Sequence, residues 1–216
     1  MKILICDNIE KLGEDFIDLS MSVLPTWRKD KMLKIKHLRG KVQCAIGYFL
    51  VNIACCDNVC NISRGCNKWI YNEHGKPYFE GKKDLFFSLS HCKNAVAVAV
   101  DDEEVGVDIE EISRYKESLA KYVLSEEEYK DYESTILTEQ EKKEKFIEIW
   151  TKKEAVFKLL GTGITHEIKD VLKRSDVNVC SQKVGNRYLS VATRKIVDIT
   201  NAISVLDVKE LMVRYL

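Results

Sequence analysis

The sequence is poor in everything that marks a secreted, disordered or membrane-spanning chain. Two prolines and ten glycines in 216 residues leave no room for a long low-complexity linker. No apolar run approaches the roughly 20 residues of a membrane span. Neither charge is in excess: 34 Lys and Arg balance 34 Asp and Glu, which argues against a wholly basic nucleic-acid binder. The start, MKILICDNIEKLGEDF, turns acidic at Asp7 and lacks the form of a secretory signal. It reads as a first strand, and the expected location is the cytoplasm. No CxxC pair occurs among the eight cysteines. The cluster Cys55, Cys56, Cys60 and Cys66 therefore matches no common zinc spacing. It reads as reduced thiols packed as small apolar residues. What is present is ordinary: 45% hydrophobic and 31% charged residues, enough for one domain or two small ones with a real core.

Residues 28–57 read as one long helix, with Leu38, Val42, Ala45, Ile46, Phe49, Leu50 and Ile53 at three- and four-residue steps. Its front is basic: Arg28, Lys29, Lys31, Lys34, Lys36, Arg39 and Lys41. Residues 58–84 read as a loop region around Gly75-Lys76-Pro77. Leu85–Leu89 reads as a short strand. Ala95–Val100 alternates Ala and Val; both faces look buried, and the Ala face leaves room for a close-packed helix. An acidic turn follows, and Val105–Glu110 resumes strand character, so 94–110 reads as a hairpin. Ser125 with Glu128, and Thr138 with Glu141, fit capping boxes. The second opens a helix running to Leu160, with Gly161 at the glycine stop. Strand-like segments follow at 187–193 and 196–206. The class is α+β, with a first half over 1–104 and a second over 105–216.

Asp108 and Glu110, two apart in a strand, leave the same face, while Val107 and Ile109 enter the core. Two adjacent carboxylates repel unless a cation or water separates them. They are either a solvated strand end or a site for a hard divalent ion such as Mg²⁺. On the 138–160 helix, Phe146, Ile149, Trp150, Val156, Phe157 and Leu160 form a stripe with Lys153 near its centre. Glu154 and Lys158 flank the stripe one turn apart. An i,i+4 ion pair accounts for those two, but Lys153 needs a partner or an exit to water. An acidic or phosphorylated partner at the helix face would supply one. Ser90 and His91, where one strand gives way to the next, offer donors suited to a phosphate. Two other readings stand beside this metal–phosphate site. One is a nucleic-acid module using 28–41; the other is a different metal-dependent phosphotransferase or phosphodiesterase.

Four segments in order resemble the Sfp-type 4′-phosphopantetheinyl transferase family: GKPYF at 75–79, FSLSHC at 87–92, VGVDIE at 105–110 and WTKKEAVFKLLGTG at 150–163. The resemblance implies two similar α+β halves related by a pseudo-twofold axis, each a long helix on a small antiparallel sheet. Coenzyme A and metal would lie between them. It implies Mg²⁺-dependent transfer of the phosphopantetheine arm of coenzyme A to a serine of an acyl or peptidyl carrier protein, releasing adenosine 3′,5′-bisphosphate. The enzyme would act as a monomer without nucleic acid or membrane. By motif position, Asp108, Glu110 and Glu154 are the implied Mg²⁺ ligands and Lys158 the pyrophosphate contact, with Lys153 in support. Ser90 and His91 would lie near the nucleotide phosphates and Lys76 beside the nucleotide. Arg28 and Lys31 would hold the 3′-phosphate, and Glu128 would be the general base. Ser88 stands where the family commonly has Asn, and Gln43 lies near where some members carry Arg.

Overall fold

The computed structural model describes residues 1–55, 68–134 and 136–215. Among these, no helix is long and apolar enough to cross a membrane. The alternation of Ala and Val organises the first layer. Strand β1 (Lys2–Asp7), β4 (Phe86–His91), β5 (Ala95–Asp101) and β9 (Ile203–Asp207) form one sheet in the order β4-β5-β1-β9. Val96, Val98 and Val100 join Leu4, Cys6 and Phe87 under helix α3 (Leu38–Cys55), and Phe16 and Ile17 of α1 (Glu14–Val23) enter the same core. Helix α3 thus lies on the valine face, not on the alanine face that the small side chains suggest. Ala95, Ala97 and Ala99 pack with Ile3 and Ile5 against Val105, Val107, Ile109, Leu189 and Val191 of a second sheet. The short side chains are room for strands rather than for a helix.

That second sheet has the order β6-β8-β7, from β6 (Val105–Glu111), β7 (Asn178–Val184) and β8 (Arg187–Thr193). The hairpin expected over 94–110 is not formed. Strand β5 has β1 on one edge and β4 on the other, so β6 finds no free edge there and pairs with β8 instead. The acidic turn after Asp101 carries the chain between sheets. The first sheet is mixed rather than antiparallel, because β9 runs parallel to β1. Residues 203–207, followed by α7 (Val208–Tyr215), return to the first sheet and extend it beyond β1.

The long helix read over 28–57 is two helices as far as Cys55, and residues 56–57 lie outside the described residues. Helix α2 (Thr26–Leu33) ends at Lys34, and α3 starts at Leu38. The break folds α2 back on α3, so that Arg28 donates to the Cys44 carbonyl at 2.6 Å. A continuous helix would have left seven basic side chains along one front with only Asp30 opposing. Within 58–84, expected as loop, Trp69–Tyr71 (β2) and Pro77–Phe79 (β3) pair as a short ribbon; residues 58–67 lie outside the described residues. So do Cys56, Cys60 and Cys66, while Cys6, Cys44 and Cys92 are buried thiols outside any disulfide.

Both capping boxes form. Ser125 and Glu128 open α5 (Glu126–Tyr132), which follows α4 (Glu117–Val123). Thr138 and Glu141 open α6 (Glu139–Leu160), and Gly161 closes it at φ 69°. Helix α6 lies across the second sheet through a strip of small residues. A Cβ on Gly106 would overlap the Ala155 carbonyl oxygen and stand 2.5 Å from the Leu159 nitrogen. Beside it Thr151 and Ser190 share a hydrogen bond of 2.7 Å. The clash is with helix backbone, which no rotamer change relieves. Gly106→Ala is therefore expected to cost about 3 kcal/mol or more, at the upper end of overpacking effects. Urea titration of the purified variant checks this.

Candidate active site

Strand β6 and helix α6 build the site between them. Gly106, Asp108 and Glu110 leave β6 on the side that α6 covers, opposite Val107 and Ile109, which are fully buried between the sheets. Asp108 is only 4% exposed. Its Oδ1 accepts from Lys158 Nζ at 2.6 Å and from Ser90 Oγ at 2.7 Å, while its Oδ2 is buried with no hydrogen-bond partner. Glu110 accepts from Arg114 at 3.2 Å through Oε1, and its Oε2 is likewise buried without a partner. Burial, and next the Asp108 charge, push the carboxyl groups of Glu110 and Glu154 up to about 7. Lys158 and Arg114 pull both the other way. Three acids thus share one neighbourhood with two cations.

A cleft crosses this neighbourhood. One cavity of about 280 Å³ is lined by Glu154, Lys158, Phe157, Lys76 and Ser88. It shares Gly75, Pro77 and Leu89 with a second of about 350 Å³, lined also by Arg28, Lys31, Trp69, Tyr71, Ser90 and His91. The second shares Gln43 and His91 with a third of about 460 Å³, which adds Arg39, Lys93, Glu110, Glu111 and Arg114. One open path therefore runs from Glu154 and Lys158 of α6, past Arg28 and Lys31 of α2, to Arg39 and Glu110.

The expected site residues divide into three groups. Asp108, Glu110, Glu154, Lys158, His91 and Ser90 come together around β6. The Ser90 hydroxyl is directed at Asp108 rather than held free as a donor, and it accepts from Ile109 N at 3.3 Å. The imidazole of His91 is held below its ordinary value by burial first and then by Lys158. Arg28 and Lys31 sit on the cleft wall in stacked positions. The Arg28 guanidinium lies 4.4 Å from the Trp69 ring centre and the Lys31 ammonium 3.9 Å from that of Tyr71. Lys76 lines the cleft, yet its ammonium donates to the Leu159 carbonyl at 2.6 Å and lies 3.7 Å from Glu104. Burial lowers its pKa.

Lys153 and Glu128 meet each other. Lys153 is fully buried and donates to Glu128 Oε2 at 2.6 Å, Val123 O at 2.8 Å and Lys169 O at 3.0 Å. The same Glu128 oxygen accepts from Ser125 N at 2.8 Å in the capping box. This is the partner that a lysine in an apolar stripe requires, and neither residue lines the cleft described above. Arg114 was not expected. It follows Glu110 by four residues, but only the turn after β6, Ile112–Arg114, brings it back alongside.

No three His, Cys, Asp or Glu among the described residues converge as a ready-made metal shell. The donor set nevertheless suits a hard cation, since two buried carboxylate oxygens lack any partner and all three acids offer oxygen. Such an ion would complete its shell with water and ligand phosphate.

Comparison with known proteins finds one superfamily. The profile of the 4′-phosphopantetheinyl transferase superfamily matches residues 104–202, the stretch that carries β6, α6 and β8. The 4′-phosphopantetheinyl transferase psf-1 of Bacillus pumilus is 38% identical over 101 residues, 47% of this chain and 42% of that protein. A 4′-phosphopantetheinyl transferase of Bacillus subtilis is 27% identical over 157 residues, 71% and 66% of the two chains. The 4′-phosphopantetheinyl transferase AcpT of Escherichia coli K12 is 34% identical over 128 residues, 57% and 65%. In each case the match spans less than two thirds of the relative's length. The chain is thus similar to the 4′-phosphopantetheinyl transferase superfamily over residues 104–202.

The raised carboxyl groups make stability depend on pH. Glu110 and Glu154 have folded values of about 7 against an ordinary 4.5, so between those limits the folded chain holds more protons than the unfolded one. Their contribution is complete below about pH 4.5 and is lost as pH rises through about 7. The loss is roughly 1.4 kcal/mol for each tenfold difference in proton affinity between the two states, lessened where water reaches the groups. Metal-free protein should lose urea stability between pH 5 and 8, and Glu154→Gln should flatten that loss. Glu128→Ala strips the buried Lys153 of its counter-charge and should cost about 3–5 kcal/mol. Glu128→Gln, which keeps an acceptor, should cost about 1–3 kcal/mol by the same titration.

Proposed function

We propose that the protein transfers the 4′-phosphopantetheine arm of coenzyme A to a serine hydroxyl of an acyl or peptidyl carrier protein, with Mg²⁺, releasing adenosine 3′,5′-bisphosphate. The observation that carries this reading is the pair of partnerless buried carboxylate oxygens on Asp108 and Glu110. Asp108 is bonded to Lys158, which lines a cleft that continues to Arg28 and Lys31, and Glu110 lines the cavity beyond them. Coenzyme A has a pyrophosphate at one place and a 3′-phosphate at another. A cleft with acids and a lysine near one end and stacked cations along its wall matches that spacing of charge.

In this reading Asp108, Glu110 and Glu154 hold the cation, which when bound neutralises charge on the pyrophosphate. Lys158 binds the same phosphates and stabilises the departing oxygen as the phosphorus–oxygen bond to the nucleotide breaks. His91 faces the nucleotide phosphates, Lys76 supports the wall beside the nucleotide, and Arg28 and Lys31 take the 3′-phosphate and so align the ligand. The serine hydroxyl attacks the phosphorus bearing the pantetheine arm and loses its proton to a base. The resemblance assigns that base to Glu128. We read Glu128, with Lys153, as the support that sets α5 against α6. The two helix-on-sheet units are read as pseudo-twofold copies in one cytoplasmic chain. A nucleic-acid reading of 28–41 loses ground because the segment is no continuous basic helix: α2 ends at Leu33 and α3 starts at Leu38.

The test is incubation of the purified protein with coenzyme A, Mg²⁺ and an apo carrier protein, read by intact mass. A gain of one phosphopantetheine on the carrier is expected, together with adenosine 3′,5′-bisphosphate in the supernatant. Loss of the signal on chelation, and a fall of about 10²-fold or more for Glu154→Ala, should accompany it. In single turnover, Glu128→Gln should stay within about tenfold once folded. A fall of about 10²–10⁴-fold would make Glu128 the base after all.

A further inference from the structure

Strand β4 lies at the edge of its sheet and β6 at the edge of the other. Each has a backbone partner on one side, β5 and β8 respectively. Their facing edges are joined by serine side chains. Val107 N donates to Ser88 Oγ at 3.0 Å, and Ile109 N donates to Ser90 Oγ at 3.3 Å. Both serines are buried, so without their hydroxyls two amides of β6 would be stranded away from water. Alternate residues of one strand thus satisfy alternate amides of the other, across a junction that forms no ordinary ladder.

Ser90 differs from Ser88 in one respect. Its own proton goes to Asp108 Oδ1 at 2.7 Å. A hydroxyl has one proton to give, and Ile109 N–H fixes the side from which the oxygen accepts. The direction of the O–H toward Asp108 is therefore set by the backbone of the strand that carries Asp108. Lys158 approaches the same carboxylate oxygen from α6 at 2.6 Å. Two donors from different elements hold one oxygen, and the second has none.

We propose that Ser90 is a positioning residue for Asp108, fixing the carboxylate through Oδ1 so that Oδ2 stays available to a cation. The inference rests on the reading of Asp108 as a cation ligand. Groups that orient metal ligands in this way typically govern 10–100-fold in metal affinity. Ser88 is the comparison: it bridges the same strands and lines the cleft, but its hydroxyl is not bonded to Asp108.

The experiment measures Mn²⁺ binding to the full chain with coenzyme A present, by the electron paramagnetic resonance signal of free Mn²⁺, together with the thermal midpoint. Ser88→Ala and Ser90→Ala should lower the midpoint alike, since each strips one β6 amide of its acceptor. Ser90→Ala should weaken Mn²⁺ binding by about 10–100-fold, well beyond any change in Ser88→Ala, and Ser90→Thr, which keeps the hydroxyl, should restore it. If Ser90→Ala does not fold, Ser90→Cys keeps the size with a weaker donor, and its affinity should fall between wild type and that loss. Equal weakening in Ser88→Ala and Ser90→Ala, or unaltered binding in the Ser90 variants, would overturn the proposal alone. Wild-type protein that binds no Mn²⁺ would overturn the cation reading, and the positioning role with it.

Discussion

The close approach of helix α6 to strand β6 is the constraint on which the rest of the structure depends. Gly106 lets the Ala155 carbonyl and the Leu159 nitrogen come down onto the strand. With any larger residue there, the helix would stand off. Glu154 and Lys158 would then lift away from Asp108, whose bond to Lys158 is only 2.6 Å long. A packing contact thus sets an electrostatic one. The three acids can be crowded, with two of them titrating near 7, because the backbone beneath them is pressed together and cannot relax.

The second half of the site is held by an interaction of a different kind. Lys153 lies on the same helix as Glu154, one residue earlier, yet points into the protein and gathers Val123, Glu128 and Lys169. A buried ammonium with three acceptors is expensive to assemble and destructive to break. Its effect is to define where α4 and α5 stop against α6. Lys153 and Lys158, little more than a turn apart on one helix, thus do unrelated things, and only their angular positions tell them apart.

What could be read in advance follows the range of each interaction. The Ser125–Glu128 and Thr138–Glu141 boxes and the Gly161 stop are chemistry within four residues, and all three form as read. The common face of Asp108 and Glu110 follows from strand geometry alone. The resemblance at 75–79, 87–92, 105–110 and 150–163 marks residues that line the cleft. What was not legible depends on competition between distant segments. The 94–110 hairpin fails because β1 and β4 already hold both edges of β5. The Ala face takes a sheet because serines of β4 bring β6 near it. Glu128 as the partner of Lys153 depends on the path of the chain between two helices, which local pattern does not encode.

The parallel pairing of β9 with β1 has a consequence for how the chain comes to be made. Ile3 lies opposite Ile203 and Asp7 opposite Asp207, so the second edge of β1 is filled only by residues synthesised long after it. Until then the first sheet ends at β1, an open edge with Ile3 and Ile5 turned toward a second sheet that is itself incomplete without β8. Contacts of such long sequence separation form slowly, and unpaired edges attract other strands meanwhile. In the nascent chain the second edge of β1 therefore has no partner until β9 has left the ribosome.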